Sequence, residues 1–144
     1  MKALSENRRA RFDYEILESF EAGIELQGHE VKSVKNGRIS LAGSYAIIRD
    51  HEAWLLNADI PAYQPKNAPP EYDPKRTRRL LLHQAEIKSL EGRLHEKGLT
   101  LLPLEARLER GFVKIKLGLG KSRKQHDKRE VLKKRTMERE MRRQ

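Results

Sequence analysis

Residues 14–27 read YEILESFEAGIELQ, and their alternation decides the fold class. Ile16, Phe20, Ala22, Ile24 and Leu26 share one parity, while Glu15, Ser19, Glu21, Glu25 and Gln27 hold the other. A period of two sends successive side chains to opposite faces, so the stretch predicts a strand with one buried face. Leu17 and Glu18 interrupt the pattern. Gly23 is the expected place for a bulge or bend, because a glycine inside a strand marks irregular pairing or close backbone approach. A long, bent strand of this kind can serve two sheets of a small closed barrel.

Working outward, residues 1–11 form a polar arm carrying Arg8, Arg9 and Arg11. On the other side, residues 29–36 predict a short helix with Val31 and Val34 inward and Gly37 as its left-handed stop. Residues 45–49 and 53–57 predict two strands joined by Asp50, His51 and Glu52. Five of the six prolines fall between positions 61 and 74, which rules out a central strand there, since proline cannot donate to a ladder. That stretch ends in the basic run Lys75, Arg76, Arg78 and Arg79. A short strand is expected over 80–82, then a helix over 84–97 with Ile87, Leu90 and Leu94 inward and Gly98 as its stop. Residues 99–109 alternate again, with Leu102, Leu104, Ala106 and Leu108 on one face. Arg110 and Gly111 make a turn into a last strand over 112–117. The prediction is a mainly β protein of five or six short, mostly antiparallel strands with two inserted helices. That count and order suit an oligonucleotide-binding (OB-type) closed β-barrel.

The chain has 144 residues and a formal charge of +10, and the charge divides it. From Lys121 to Gln144 there are eleven Lys and Arg against four Asp and Glu, a net of +7, which leaves only +3 on the first 120 residues. Residues 1–120 therefore read as a nearly neutral RNA-binding body and residues 121–144 as a basic tail. The large apolar residues of the tail are Val131, Leu132, Met137 and Met141, too few for a core. Glu130 with Lys134, and Glu138 with Arg142, are spaced for helical ion pairs. The tail reads as disordered when free and helical when bound. An excess of cations suits a polyanion, because each neutralised phosphate releases counterions, although solvated surfaces can also be basic. The absence of cysteine excludes disulfides and thiolate chemistry and suits a reducing compartment. No apolar run reaches the ~20 residues of a membrane helix, and the first residues lack the apolar stretch of a signal peptide. The expected address is the cytoplasm, without a membrane partner.

Catalytic motifs are missing. Gly118-Leu119-Gly120-Lys121-Ser122 resembles the end of a phosphate-binding loop, but Ile115 stands where that loop needs its first glycine. The five histidines have no metal-ligand spacing, and neither a nucleophile elbow nor a His-Glu-x-x-His helix occurs. No catalytic residue, metal or cofactor is expected.

Binding chemistry is easier to place. If Val113, Ile115 and Leu117 point inward, Phe112, Lys114 and Lys116 point outward together. Cations one pleat apart stand roughly 7 Å from each other, near the phosphate spacing of a nucleic-acid strand, and an aromatic beside them can stack on a base. A solvated face has the same pattern. Leu81 takes the opposite face from Leu80 and Leu82. Exposed beside Arg78 and Arg79 it would meet an unstacked nucleotide; buried, it would lie under the following helix. In the tail, Lys121, Arg123, Lys124, His126, Asp127, Lys128 and Arg129 combine phosphate-binding cations with an imidazole and one acid.

Four stretches carry a resemblance: FEAGIELQGHEVKS (20–33), SYAIIRDHEAWLLNADI (44–60), RTRRLLLHQAEIKSL (76–90) and GKSRKQHDKRE (120–130). They closely resemble the SsrA-binding protein (small protein B) family, the bacterial partners of transfer-messenger RNA. The likeness runs from about Asn7 into the tail. It implies an OB-type barrel that binds the tRNA-like domain of that RNA in place of an anticodon arm. It also implies trans-translation on stalled ribosomes, with the tail against small-subunit RNA at the decoding centre and message channel. One monomer per RNA is expected. By position, the resemblance puts Glu21, Leu81 and Lys114 at RNA-binding sites, with Asn7 and Tyr14 as further candidates. It puts His126, Asp127, Lys128 and Arg129 in the ribosome-binding tail motif. Ser122 stands where many relatives have glycine, and His29 where an aromatic residue is common.

Overall fold

A computed structural model describes residues 3–96 and 98–143, apart from the side chains at 67, 125–127 and 143. Its strands are β1 (Ala3–Glu6), β2 (Tyr14–Ile24), β3 (Tyr45–Arg49), β4 (Glu52–Leu56), β5 (Arg78–Leu81), β6 (Leu99–Glu109) and β7 (Phe112–Ser122). The helices are α1 (Arg8–Asp13), α2 (Gly28–Lys35), α3 (Gln84–Arg93) and α4 (Gln125–Arg143). The protein is mainly β. The order β6-β3-β4-β5-β2-β7, with β7 pairing back to β6, closes a ring of hydrogen-bonded antiparallel strands, and β1 adds to β6. The ring is thinnest between β3 and β6, where Ala46 opposite Leu101 is the one registered pair.

The interior of the ring holds Phe20 and Ala22 of β2, Leu101 and Ala106 of β6, and Ile115, Leu117 and Leu119 of β7. Val34 of α2 and Leu90 of α3 belong to the same core. A second, smaller cluster lies on the outer surface of the ring. Ala10 of α1 packs there on Leu102 and Leu104, with Tyr14 and Ile16 beside them. Two irregularities make this double use of the strands possible. The β2–β7 register shifts between Ile16 and Glu18, and the β6–β7 register shifts between Pro103 and Glu105. A bulge changes the parity of everything beyond it. Tyr14 and Ile16 therefore face outward under α1, while Phe20 and Ala22 face inward.

Several expectations need correction: the expected polar arm carries β1 and α1, so the described residues form seven strands and four α-helices rather than five or six strands and two helices, and the helix expected over 84–97 ends at Arg93. The bulge in β2 falls at Leu17, not Gly23; Gly23 instead lets Leu81 lie close, since a Cβ there would sit 3.4 Å from Leu81 Cβ. Leu102 and Leu104 face α1 rather than the ring interior. The β3–β4 turn is Asp50-His51 alone, with φ of 53° and 62°, the left-handed pair that matches strand twist in two-residue hairpins. Lastly, β7 runs five residues past its expected end at Leu117, to Ser122. The phosphate-loop lookalike is thus a strand. A Cβ on Gly118 would meet Leu104 Cδ1 at 2.8 Å, and one on Gly120 would meet Tyr14 Cβ at 2.9 Å. These glycines leave room for the second cluster; they do not cradle an anion.

Candidate RNA interface

The outward row of β7 reads Phe112, Lys114, Lys116, Gly118, Gly120. The cluster beneath α1 covers the glycine half, and the other half is open. Register then assembles the neighbours. Lys116 stands opposite Glu21 and Lys114 opposite Gly23 of β2, while Gly23 stands opposite Leu81 of β5. On the other side, Lys114 faces Arg107 and Lys116 faces Glu105 of β6. Glu21, Leu81, Lys114 and Lys116 therefore share one outer face across three adjacent strands. Leu81 is 47% exposed, a large apolar side chain on a polar surface. Phe112, 71% exposed, stands at the mouth of the Arg110-Gly111 turn.

The charges on this face differ in kind. Glu105 is nearly buried, accepts from Arg107, and lies 3.9 Å from Lys116 Nζ. Among the described residues, Lys114 and Glu21 have no ion pair. Lys114 is a cation open to a phosphate. Glu21 is an acceptor, suited to hydrogen bonds from a base edge or a ribose hydroxyl but not to a phosphate.

Asn7 and Tyr14 lie at the end of this face that α1 covers. Asn7 is buried and caps α1: its Oδ1 accepts from Ala10 N–H at 3.2 Å, and its Nδ2 donates to Leu41 O (3.2 Å) and Pro103 O (2.9 Å). The side-chain amide is fully engaged inside the protein. Tyr14 sits seven residues before Glu21 on β2, and Asn7 and Tyr14 line a cleft of about 260 Å³ with Tyr45.

At the end of β7, Lys121 stands opposite Glu15, and Ser122 N–H donates to Gly98 O at 3.0 Å. Ser122 is thus a strand residue. The chain then turns into α4, with Arg123 N–H donating to Asp13 O at 2.9 Å. Lys121, Arg123 and Lys124 line an open cleft with Glu15 and Glu130. Lys128 Nζ lies 3.1 Å from Asp13 Oδ1, and Arg129 is exposed. The side chains of His126 and Asp127 lie outside the described residues.

Residues 4–144 match the SmpB protein family. The chain belongs to the SmpB family. SsrA-binding proteins of Synechocystis sp. and Nostoc sp. are 52% and 51% identical over 141 and 142 residues, covering 98% and 99% of this chain and 92% of each relative. A solved chain titled "tmRNA-SmpB: a journey to the center of the bacterial ribosome" is 46% identical, with a TM-score of 0.69, covering 89% of this chain and 93% of that one. Among the described residues, no helix is long and apolar enough to cross a membrane, and no cluster of His, Asp or Glu is placed to hold a metal.

This SmpB chain spends its other basic run internally. Arg78, expected beside Leu81 at the surface, is fully buried. Its Nε donates to Glu30 Oε2 at 2.8 Å, and its two Nη groups reach Ala58 O, Arg76 O, Pro74 O and the Tyr72 hydroxyl. Glu30 is buried as well, and Arg76 Nη2 approaches it at 2.5 Å. Burial alone would push the Glu30 carboxyl up. The bonds from Arg76, Gln27 N–H and Arg78 outweigh it and hold the group at about 2. Arg79 pairs with Glu25 and Glu52. Sequence reading missed this network. Its one local signal was the Gln27–Glu30 capping box, whose glutamate also bonds the Gln27 N–H at 2.8 Å.

Proposed function

We propose that this chain binds the tRNA-like domain of transfer-messenger RNA and delivers it to stalled ribosomes for trans-translation. The observation that carries this reading is the likeness, over 89% of the chain, to a solved chain of a tmRNA-SmpB complex of the bacterial ribosome. The ring of strands is read as an OB-type closed barrel, supported by its closure in antiparallel order. On its outer face Glu21 accepts from a base edge or 2′-hydroxyl, Leu81 packs on an unstacked nucleotide, and Lys114 and Lys116 meet successive phosphates. Asn7 acts by fixing the start of α1, and Tyr14 by lining the cleft beside it. The tail residues Lys121, Arg123, Lys124, His126, Asp127, Lys128 and Arg129 engage small-subunit RNA in the decoding centre and message channel, where an anticodon arm would otherwise lie. The division follows the charge: a body of residues 1–120 and a tail of residues 121–144, whose first two residues still belong to β7. The protein acts as a cytoplasmic binding adaptor, one copy per RNA, and not as an enzyme.

Removing residues 123–144 tests the division of labour. The truncated protein is expected to keep its preference for the tRNA-like transcript over an unrelated RNA of equal length, and to lose peptide tagging on ribosomes stalled without a stop codon. Loss of that preference, or tagging at the normal rate, would overturn the reading.

A further inference from the structure

Two helices of like charge face each other where α4 meets α1 on the outer surface of the ring. Arg8 and Arg11 of α1 and Arg135, Arg139 and Arg142 of α4 line a cleft of about 550 Å³, with Glu138 as its one acid. Spacings of three and four keep each set on a single helix face. Arginine does not lose its charge in water, so the helices repel along this cleft.

What holds them together is sparse and sits elsewhere. Asp13 accepts from Arg123 N–H through its carbonyl and meets Lys128 and Arg9 through its carboxylate. Lys128 Nζ and the Arg135 guanidinium lie 5.9 and 6.0 Å from the centre of the Phe12 ring. Apolar burial contributes little, because Leu132, Met137 and Met141 of α4 are all exposed. Among the described residues Arg11, Arg139 and Arg142 have no ion pair, and Arg8 reaches only Glu6, at 3.8 Å. The docked position of α4 therefore has an anchor at Asp13 and Phe12 and an unneutralised cationic cleft beside it.

We infer that this cleft binds backbone phosphates of the RNA held by the body, and that the bound phosphates latch the tail helix onto α1. Guanidinium groups meet phosphate oxygens in planar, two-pronged contacts, and phosphates between the helices convert their repulsion into attraction to a shared anion. Helix α1, one wall of the cleft, covers Gly118 and Gly120 of the outward β7 row whose open half carries Lys114 and Lys116. The helix α1 sits on the same outer face that carries Glu21 and Lys114, and the seven residues from Tyr14 to Glu21 span about 23 Å, the length of a few nucleotides. That continuity favours RNA over an acidic peptide. The inference rests on the RNA-binding reading of the body.

The chain has no cysteine, so cysteines placed at the exposed Lys35 and Lys133 are the only sites for a pair of spin labels. In the full chain, addition of the tRNA-like transcript is expected to narrow the label-to-label distances to a single docked population. In the Arg11→Gln/Arg139→Gln/Arg142→Gln variant the distribution should stay broad with RNA bound. The slope of log affinity against log salt should fall by about two units. An unaltered distribution in the unsubstituted chain, or an unaltered slope in the variant, would overturn the latch while RNA binding itself stands. Closure on polyglutamate at matched charge overturns the assignment to RNA. Closure on small-subunit RNA but not on the transcript overturns the assignment to the RNA on the body. If the unsubstituted chain binds no transcript, the reading of the body fails and the latch with it.

Discussion

The arginines around Glu30 and those between α1 and α4 are chemically the same residues in opposite circumstances. Arg78 has an acceptor for each N–H group and no exposure, held by a carboxylate 48 residues away in the sequence. Arg11, Arg139 and Arg142 look out on water and one another. Placement against an acid, not the density of basic residues along the chain, decides whether a cation builds the fold or remains free for a polyanion. The first group belongs to stability and the second to binding, so each should respond to a different measurement.

The largest effect is expected at Glu30. Glu30→Gln leaves Arg76 and Arg78 facing a neutral amide, with Arg78 still buried. Breaking a buried pair by removing one partner costs roughly 3–5 kcal/mol, read as the shift in urea midpoint at constant slope. A loss below about 1 kcal/mol would put the network on the binding side of the comparison. Arg11→Gln, on the other side, should leave the midpoint within about 0.5 kcal/mol, as surface substitutions do.

Acid should probe the same carboxylate without mutation. Held at about 2 rather than its ordinary 4.5, Glu30 contributes its full stabilisation above pH 4.5 and loses it as the pH falls through that window. The gap corresponds to about 3 kcal/mol. Stability measured from pH 5 to 2 should decline with the slope of one extra bound proton, and Glu30→Gln should remove that component. Arg76→Ala should fall between the extremes. Arg76 is 30% exposed in its side chain and shares Glu30 with Arg78, so a loss of roughly 1.5–3 kcal/mol fits a charged hydrogen bond, again read from the urea midpoint.

The same contrast explains what could be read from the sequence. Alternation in 14–27 and 99–109 found two of the three eleven-residue strands, because period two is local. It registered the β2 bulge only as a break at Leu17 and Glu18, and missed the one between Pro103 and Glu105, because the outer cluster that uses the far ends of these strands is assembled from three separate segments. Gly118 and Gly120 read as part of a phosphate-loop lookalike for the same reason: their use is to make room for Leu104 and Tyr14, which sequence spacing does not reveal. The outward row Phe112, Lys114, Lys116 was legible from parity alone. That Glu21 and Leu81 share its face required register across β2 and β5, and the resemblance supplied what pattern could not. Arg78 looked like its neighbours because its acid lies three elements earlier, in α2.

The smallest expected effect separates two lysines of that row. Lys114 has no ion pair among the described residues, whereas Lys116 lies 3.9 Å from Glu105, a carboxylate already engaged by Arg107. A lysine that releases a counterion on binding RNA contributes up to about one unit to the salt slope. One already partly neutralised by a carboxylate has less counterion to release. Lys114→Ala should therefore lower the slope for the tRNA-like transcript by about one unit, and Lys116→Ala by clearly less, with both proteins equally stable in urea. Equal slopes would mean that RNA draws Lys116 away from Glu105. A larger change at Lys116 than at Lys114 would reverse the assignment of paired and free charge on this face. The double variant Lys116→Ala/Glu105→Gln decides between those outcomes. If the carboxylate is what restrains Lys116, Lys116→Ala should lower the slope by about one unit in the Glu105→Gln background, as Lys114→Ala does in the unsubstituted protein.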